Sequence, residues 1–264
     1  MEENVIVDGI GIFEKTFSEF KDSFVIIGGA ACRATLSNGR YTPRKTKDID
    51  MVLVLDRLDK NFIDTFWAFI KSGQYKCATR KDKTGHKKYV LYSFYDSLPD
   101  YPAQIELLSR PLESLGSPED HKIEAIAIDD ASYLSAIILE PDYYNYLVKH
   151  TEEKNGLRYA SVDSIICLKV LAYLNLREDK QNGRHVNDDD YKKHRRDVVM
   201  AAASLGIDAE FTVPEIIKNS ITKFIEAVNS DEGVRQSLVG TLKLQDVSLL
   251  DEYLKVLDES FTAE

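Results

Sequence analysis

Apolar residues in the first half of the chain recur with both helical and strand periods. Phe13, Phe17 and Phe20 lie three or four residues apart, which predicts an amphipathic helix over residues 10–22. The apolar run Phe24-Val25-Ile26-Ile27 is short and β-branched, as is typical of a buried strand. Further helices are predicted over residues 30–36 and 60–71, and further strands over residues 49–55, 75–81, 87–95 and 104–108. The first half is therefore predicted to be a mixed α/β region.

The second half of the chain is predicted to be helical. Helices are predicted over residues 162–178, 189–205, 214–229 and 248–260, and Pro214 suits the first turn of its helix. The pattern does not decide between helix and strand for residues 132–139 and 143–151. The Asn155-Gly156 turn is the best candidate for a boundary, so the sequence predicts two domains, residues 1–157 and residues 158–264.

Composition excludes several classes of protein. The chain has 264 residues, 44% of them hydrophobic, which is ordinary for a globular protein and excludes disordered and collagen-like chains. Its 34 basic and 44 acidic residues give a net charge of −10, which argues against a protein that coats nucleic acid with its whole surface. A local basic groove stays compatible with this charge.

The cysteines and the apolar segments bear on the compartment. Cys32, Cys77 and Cys167 are odd in number and far apart, so we expect neither a disulfide framework nor a cysteine zinc site. This use of cysteine is typical of a protein from a reducing compartment. No apolar stretch approaches the roughly 18 residues that span a membrane, and no basic and apolar leader begins the chain. The sequence predicts a cytoplasmic protein without membrane contact.

Two acids at the start of a predicted strand are the first candidate for chemistry. Asp48 and Asp50 are two residues apart, so strand alternation places both side chains on one face. Two adjacent carboxylates repel unless a cation lies between them, and Mg²⁺ prefers such hard oxygen ligands. The alternative is a polar start to the strand with two solvated acids, because the Asp-x-Asp pattern alone is common.

Two other features strengthen the pattern. Gly28-Gly29 ends one predicted strand and begins a helix, where glycine allows a phosphate to approach the backbone and the N–H groups of the helix N-terminus. Glu106 lies between Ile105 and Leu107 in an otherwise apolar strand, where a charge is costly unless it is paired or ligated. Glu106 could instead point to solvent from an edge strand.

Taken together, these motifs resemble the nucleotidyltransferase superfamily, which has the polymerase-β-like fold. Its pattern is a Gly-Gly or Gly-Ser turn, an Asp-x-Asp strand and a third acid on an adjacent strand. Arg44 and Thr46 precede Asp48 by a few residues. With them the pattern resembles the AbiEii-type branch, which includes toxins of type IV toxin–antitoxin systems. The resemblance covers about residues 20–205, and it continues through residues 101–108, 134–139, 168–173 and 193–198.

The resemblance implies a fold and a set of roles. It implies an α/β (α+β) fold, with a mixed-sheet nucleotidyltransferase domain followed by a C-terminal helical bundle. In this reading Asp48, Asp50 and Glu106 are catalytic residues that bind Mg²⁺, or Mn²⁺ in its place, although an aspartate is more usual at the third position. The implied nucleotide-binding residues are Gly28, Gly29, Arg44, Thr46 and Lys169. Asp197 is the implied fourth catalytic residue, which orients substrate or acts as a base.

Several of these residues have a purely structural alternative. Arg44 and Thr46 could hold their own loop in place. Lys169 lies in an apolar helical run and could extend its ammonium group to the surface. Asp197 could pair with Lys193, four residues earlier on the same helix.

The function implied by the resemblance is transfer of a nucleotide from an NTP to an acceptor hydroxyl. RNA or a protein is the expected acceptor, and a toxin of the AbiEii type would have an antitoxin partner. One alternative is a small-molecule nucleotidyltransferase of the antibiotic-modifying sort; the net charge of −10 favours a cationic acceptor, whereas the basic run at residues 192–196 favours RNA. The other alternative is a non-catalytic binding protein with this fold, against which the three intact acids argue.

Overall fold

The computed structural model describes residues 7–36, 43–81, 87–110, 123–127, 133–206 and 208–264. The chain divides into two compact units, the first formed by Met1–Thr35 and Pro43–Ala160 and the second by Leu36–Thr42 and Ser161–Glu264. The first unit contains a mixed sheet with helices, and helices predominate in the second, so the predicted α/β fold class is confirmed.

The elements of the first unit follow the alternation of the sequence. Its described helices are α1 Ile10–Phe17, α2 Gly28–Leu36, α3 Lys60–Ser72 and α4 Pro141–Lys149, with short 3₁₀ segments at Ser18–Ser23 and Leu55–Arg57. Its described strands are β1 Phe24–Ile27, β2 Asp48–Leu53, β3 Lys76–Lys81, β4 Lys87–Tyr95, β5 Gln104–Ser109, β6 Ile123–Ala127, β7 Tyr133–Ile138, β8 Thr151–Lys154 and β9 Leu157–Ala160. The sequence also predicts a hairpin turn at residues 83–85 and a polar loop over residues 37–47. That turn, and residues 37–42 of that loop, lie outside the described residues.

The sheet places β2 and β5 side by side in its interior. Its strand order is β3-β4-β5-β2-β1-β9-β8, and β7 pairs with both β5 and β6. Strand β2 is antiparallel to β1 and parallel to β5. The register aligns Ile27, Asp50 and Glu106 across three strands, and Ser93 of β4 continues that row.

Helices α1 and α3 pack on the sheet through a cluster of phenylalanines. The ring centroids of Phe13 and Phe17 lie 4.5 Å apart, and Phe17 lies 5.2 Å from Phe69. The first helix is shorter than predicted, because a 3₁₀ segment follows Phe17. Phe20 has non-helical backbone angles, yet its ring lies 5.8 Å from Phe62. The three-residue period of a 3₁₀ helix preserves the apolar spacing that had predicted one continuous α-helix.

The segments that the pattern left open have clear physical explanations. Residues 133–138 form β7, and α4 begins where the Glu140 carboxylate accepts hydrogen bonds from the backbone N–H groups of Asp142 and Tyr143.

Asn155 and Gly156 have φ values of 52° and 74° and form the turn of the β8–β9 hairpin. The predicted boundary after residue 157 lies inside β9, which pairs with β1.

The second unit is built on five described helices and a small sheet. These are α5 Val162–Gln181, α6 Asp188–Ala202, α7 Glu215–Asn229, α8 Glu232–Leu242 and α9 Val247–Glu259, with parallel strands β10 Phe211–Val213 and β11 Phe261–Ala263. Helix α8 was not predicted, because glycines occupy two of its positions and only Leu238 and Leu242 are buried. No helix in the described part of the chain is long and apolar enough to cross a membrane.

Candidate functional site

The acids predicted from the sequence lie on one face of the central sheet. Asp48 is directly opposite Gln104, and Asp50 is directly opposite Glu106, on the neighbouring parallel strands β2 and β5. Strands in a sheet lie about 4.8 Å apart, so opposite residues have adjacent side chains on the same face. The alternate residues of the two strands, Ile49, Met51, Leu53, Ile105 and Leu107, have no exposed surface. Alternation thus separates a sealed apolar face from a face that carries the acids.

Glu106 lies on an interior strand, and not on the edge strand that was the alternative. Strand β5 lies between β2 and β4, so Glu106 is not on an edge strand. Its side chain is nevertheless half-buried rather than enclosed, because positions 104, 106 and 108 face the partly open side of the sheet. A charge at this position therefore does not incur the full cost of burial that its apolar neighbours suggested.

The Gly-Gly turn fits closely around Asp50. Gly28 has a φ of +66°, a left-handed conformation that favours glycine. A Cβ atom added to Gly28 would collide with the Oδ2 atom of Asp50. The Asp50 carboxylate therefore lies against the beginning of α2. The N-terminus of a helix has positive potential, which favours a carboxylate there.

Gly29 and Thr46 form a second close approach beside the first. A Cβ atom added to Gly29 would lie 3.1 Å from Cβ and 3.2 Å from Oγ1 of Thr46. The Thr46 hydroxyl accepts a hydrogen bond from the backbone N–H of Asp48 at 3.3 Å. Thr46 therefore holds its own loop in place at the start of β2, which was the structural alternative for this residue. Arg44 is exposed and has no hydrogen bond or ion pair with a residue that the structure describes.

Both ends of β2 are fixed by contacts outside the sheet ladder. At its start, the Lys47 carbonyl accepts a hydrogen bond from the Ala103 N–H at 2.7 Å. At its other end, the Tyr144 hydroxyl donates to the carbonyl of Leu53, the last residue of β2, and accepts from the Leu55 N–H, both at 3.2 Å. These contacts fix the position of β2 along its own axis, and hence the height of Asp48 and Asp50 relative to β5.

The three acids carry the kind of donor atom that magnesium prefers, but their side chains do not surround one point. Asp48, Asp50 and Glu106 offer only carboxylate oxygens, the donors that Mg²⁺ prefers, from adjacent positions of two paired strands. Among the described residues, however, no three histidine, cysteine or acidic side chains lie close enough together to hold a metal ion. The acids therefore share a face without converging on one point.

Two residues that the sequence reasoning missed contact Glu106. Its Oε1 atom accepts hydrogen bonds from Gln104 Nε2 at 2.7 Å and from Ser93 Oγ at 3.2 Å. Gln104 could have been found from the sequence, because Gln-Ile-Glu places it on the same strand face as Glu106. Ser93 could not, because only the register of β4 against β5 places it opposite Glu106.

In the second unit, Lys169 and Asp197 contact each other. Lys169 Nζ lies 3.1 Å from Asp197 Oδ2, and the residues are only 6% and 4% exposed. Arg196 Nη2 contacts the other oxygen, Oδ1, at 3.1 Å. The ammonium group of Lys169 therefore does not extend to the surface. Lys193 Nζ lies 3.9 Å from Asp190 Oδ1, and the alternative considered from the sequence, an ion pair between Lys193 and Asp197, is not formed.

Other polar side chains of α5 and α6 are also buried or in contact with each other. Arg195 is 4% exposed, so this part of the basic run at residues 192–196 is not a solvated face. The rings of Tyr173 and Tyr191 stack with centroids 4.8 Å apart, and the Tyr191 hydroxyl donates to that of Tyr173 at 3.1 Å. Burial raises the pKa of Tyr173. Helices α5 and α6 are thus joined by charged and hydroxyl groups as well as by apolar packing.

Comparison with known proteins adds no relative to this description. No family model, curated protein or solved structure matches the chain.

Proposed function

We propose that the first unit is a Mg²⁺-dependent nucleotidyltransferase that moves a nucleotide from an NTP to an acceptor hydroxyl. The observation that carries the proposal is the alignment of Asp50 with Glu106 on adjacent interior strands, while Gly28 leaves room for the Asp50 carboxylate at the beginning of α2. A polar strand start with solvated acids requires neither this alignment nor a left-handed glycine.

The carboxylates of Asp48, Asp50 and Glu106 would hold the metal. When bound between these acids and the triphosphate, magnesium would offset the charge that develops on the attacked phosphate and on the departing pyrophosphate. Because the acids do not converge in the described structure, side-chain rotation on binding is part of the proposal. The first N–H groups of α2, beside Gly28 and Gly29, would donate hydrogen bonds to phosphate oxygens.

The transfer itself is a displacement at the α-phosphate. The acceptor oxygen forms a bond to that phosphorus as the bond to the bridging oxygen of pyrophosphate breaks. The Glu106 carboxylate, which is half-buried and faces the same side as Asp50, would take the proton of the acceptor hydroxyl. Thr46 would contribute by holding Asp48 in position, since its hydroxyl already accepts a hydrogen bond from the Asp48 N–H.

The roles implied for Lys169 and Asp197 need a change of partner. Each group is bound to the other in the described structure, and Asp197 is bound to Arg196 as well. A phosphate contact by Lys169, or proton transfer by Asp197, would require this ion pair to open. We therefore assign the transfer step to the first unit and leave the pair a structural role in the proposal.

The acceptor follows only from the resemblance. RNA or a protein hydroxyl is the proposed acceptor, and a toxin role with an antitoxin partner is the proposed context. The toxin role is tested by expressing the wild type and the Asp50→Asn variant in bacterial cells, where a toxin should arrest growth only with Asp50 intact.

The direct experiment is incubation of the purified protein with each labelled NTP, Mg²⁺, and total RNA or a cell lysate. Label should appear in a macromolecule with the wild type and disappear with Asp50→Asn. Asp64→Asn is the matched control, because Asp64 is an exposed acid on α3. Absence of transfer to any acceptor, together with absence of NTP binding by calorimetry, would overturn the proposal.

A second candidate function is nucleotide binding without transfer. It is favoured by one observation, namely that the acids do not form a three-donor group in the described residues. The same experiment separates the two candidates, because a binding protein would show NTP affinity that depends on Gly28 but no labelled product.

A further inference from the structure

Glu106 is held by two neighbours that contact only one of its carboxylate oxygens. Gln104 Nε2 and Ser93 Oγ both donate to Oε1, at 2.7 Å and 3.2 Å, and they lie 3.5 Å from each other. No hydrogen bond to Oε2 comes from the part of the chain that the structure describes. One oxygen of Glu106 therefore accepts hydrogen bonds from two side chains, whereas the other accepts none from the described residues of this half-buried position.

The geometry of the strands explains why these two residues reach the same oxygen. Gln104 precedes Glu106 by two residues on β5, so both side chains lie on the same face about 6.6 Å apart along the strand. Ser93 is the cross-strand partner of Glu106 on β4. An ionised carboxylate only accepts hydrogen bonds, so the Gln104 amide must present its nitrogen to Glu106. The contact therefore fixes the orientation of both side chains.

We propose that Gln104 and Ser93 are positioning residues that turn the Glu106 carboxylate so that Oε2 faces the cation and the acceptor hydroxyl. The proposal rests on the proposed function and adds residues that act through Glu106. Residues that orient a ligating carboxylate in this way commonly change metal affinity or activity by about 10- to 100-fold when they are removed.

The chain offers a matched control for the Gln104 contact. On α8, Gln236 Nε2 donates to Glu232 Oε1 at 2.7 Å, the same pair of groups at the same distance, but on an exposed helix surface. Gln104→Met and Gln236→Met each remove such a bond while keeping a side chain of similar length. An effect of Gln104→Met that Gln236→Met lacks would therefore arise from the position of Gln104 beside Glu106, and not from the loss of a glutamine–glutamate hydrogen bond in itself.

The test combines Mn²⁺ binding, followed by electron paramagnetic resonance without nucleotide, with steady-state transfer kinetics. We expect Gln104→Met to weaken Mn²⁺ binding and lower kcat by about tenfold each, with the KM for NTP little changed, because the nucleotide contacts lie at α2. Ser93→Ala should have a smaller effect, Ser93→Thr should retain wild-type values because it keeps the hydroxyl, and Gln236→Met should match the wild type.

Failure of this inference is distinguishable from failure of the proposed function. If the wild type binds Mn²⁺ and transfers nucleotide, and Gln104→Met and Ser93→Ala do both equally well, the positioning role is wrong while the function stands. If the wild type neither binds Mn²⁺ nor uses any NTP, the function fails and the inference with it. Should Gln104→Met not fold, Ser93→Ala against Ser93→Thr decides the question by the same two measurements.

Discussion

Lys169 on α5 and Asp197 on α6 form a buried ion pair, with Nζ and Oδ2 3.1 Å apart. Removing one member of a buried pair leaves an uncompensated charge, so we expect Asp197→Leu to lower the free energy of unfolding by about 3–5 kcal/mol. Lys169→Met should cost less, because Arg196 still neutralises Asp197. Urea denaturation followed by circular dichroism measures both changes.

Two controls make this prediction specific. The double variant Lys169→Met/Asp197→Leu should be more stable than Asp197→Leu, because it leaves no orphaned ammonium group. Lys180→Met removes the exposed pair with Asp188 and should leave stability nearly unchanged. A Lys169→Met variant that is less stable than Asp197→Leu would mean that Arg196 does not neutralise Asp197 on its own.

Gly28 should be intolerant of any side chain. Gly28→Ala places a Cβ in a left-handed conformation, which costs roughly 1–2 kcal/mol, and drives that atom into the Asp50 carboxylate. We expect lower stability by at least that amount, measured by thermal unfolding. On the proposed function, calorimetry should also show weaker Mn²⁺ and NTP binding.

Gly11 provides the opposite case in the same unit. It lies in α1, and a Cβ added there would meet no atom within 4 Å. Gly11→Ala should therefore stabilise the protein by up to about 1 kcal/mol, because alanine restricts the unfolded chain and favours the helix. Equal destabilisation by both substitutions would show that the Gly28 effect does not come from Asp50.

Phe17 is expected to be the most sensitive position of the phenylalanine cluster. Its fully buried ring lies within 6.2 Å, between centroids, of the five rings of Phe13, Phe24, Phe62, Phe66 and Phe69. Phe17→Ala should cost about 3–5 kcal/mol in the free energy of unfolding. Phe20→Ala should cost clearly less, because its ring is only half-buried. Similar losses at the two positions would mean that the core does not centre on Phe17.

The three cysteines should differ in their reactivity towards iodoacetamide. Burial raises the pKa of Cys167 well above its ordinary value, and it raises the pKa of Cys77 as well, although Cys77 is only half-buried. Because the thiolate is the nucleophile, a raised pKa lowers the rate at a given pH, and the rate should increase as the pH rises. Mass spectrometry should find Cys77 labelled first, and Cys32 and Cys167 protected until the protein unfolds.

Replacement of Cys77 by serine provides the check on this order. The native Cys77→Ser protein should remain almost unlabelled at pH 8, whereas labelling in urea should modify both remaining thiols. Labelling of native Cys167 as fast as Cys77 would be incompatible with its enclosed position in α5.

The sequence predicted those elements whose apolar pattern reports a local period. Strands β1, β4 and β5, and helices α3, α5, α7 and α9, lie within a few residues of their predicted positions. The helices are long enough to show a period of 3.6 residues, and the strands are short runs of apolar or alternating residues. The position of Asp48 and Asp50 on the same face of β2 also follows from strand alternation alone. Helix α8 and strands β10 and β11 escaped prediction, because few of their residues are buried and the strands are three residues long.

The partners of the site residues depend on contacts between distant segments, which a local pattern does not encode. Ser93 meets Glu106 because of strand register, and Lys169 meets Asp197 because α5 packs against α6. In the same way, Thr46 lies against Gly29 through the fold of a loop. Single-sequence reasoning could name five of these six residues but could not tell which of them are neighbours.

The alternation of β2 has a consequence for errors in folding. Ile49, Met51 and Leu53 fill the core, while Asp48 and Asp50 occupy the other face of the same six-residue strand. A slip of one residue would place two carboxylates in the interior and three large apolar side chains outside it, so the slipped chain would not be stable. Any molecule that buries Ile49, Met51 and Leu53 has therefore also placed Asp48 and Asp50 together on the opposite face, so burial of the core and exposure of the acids arise in one step.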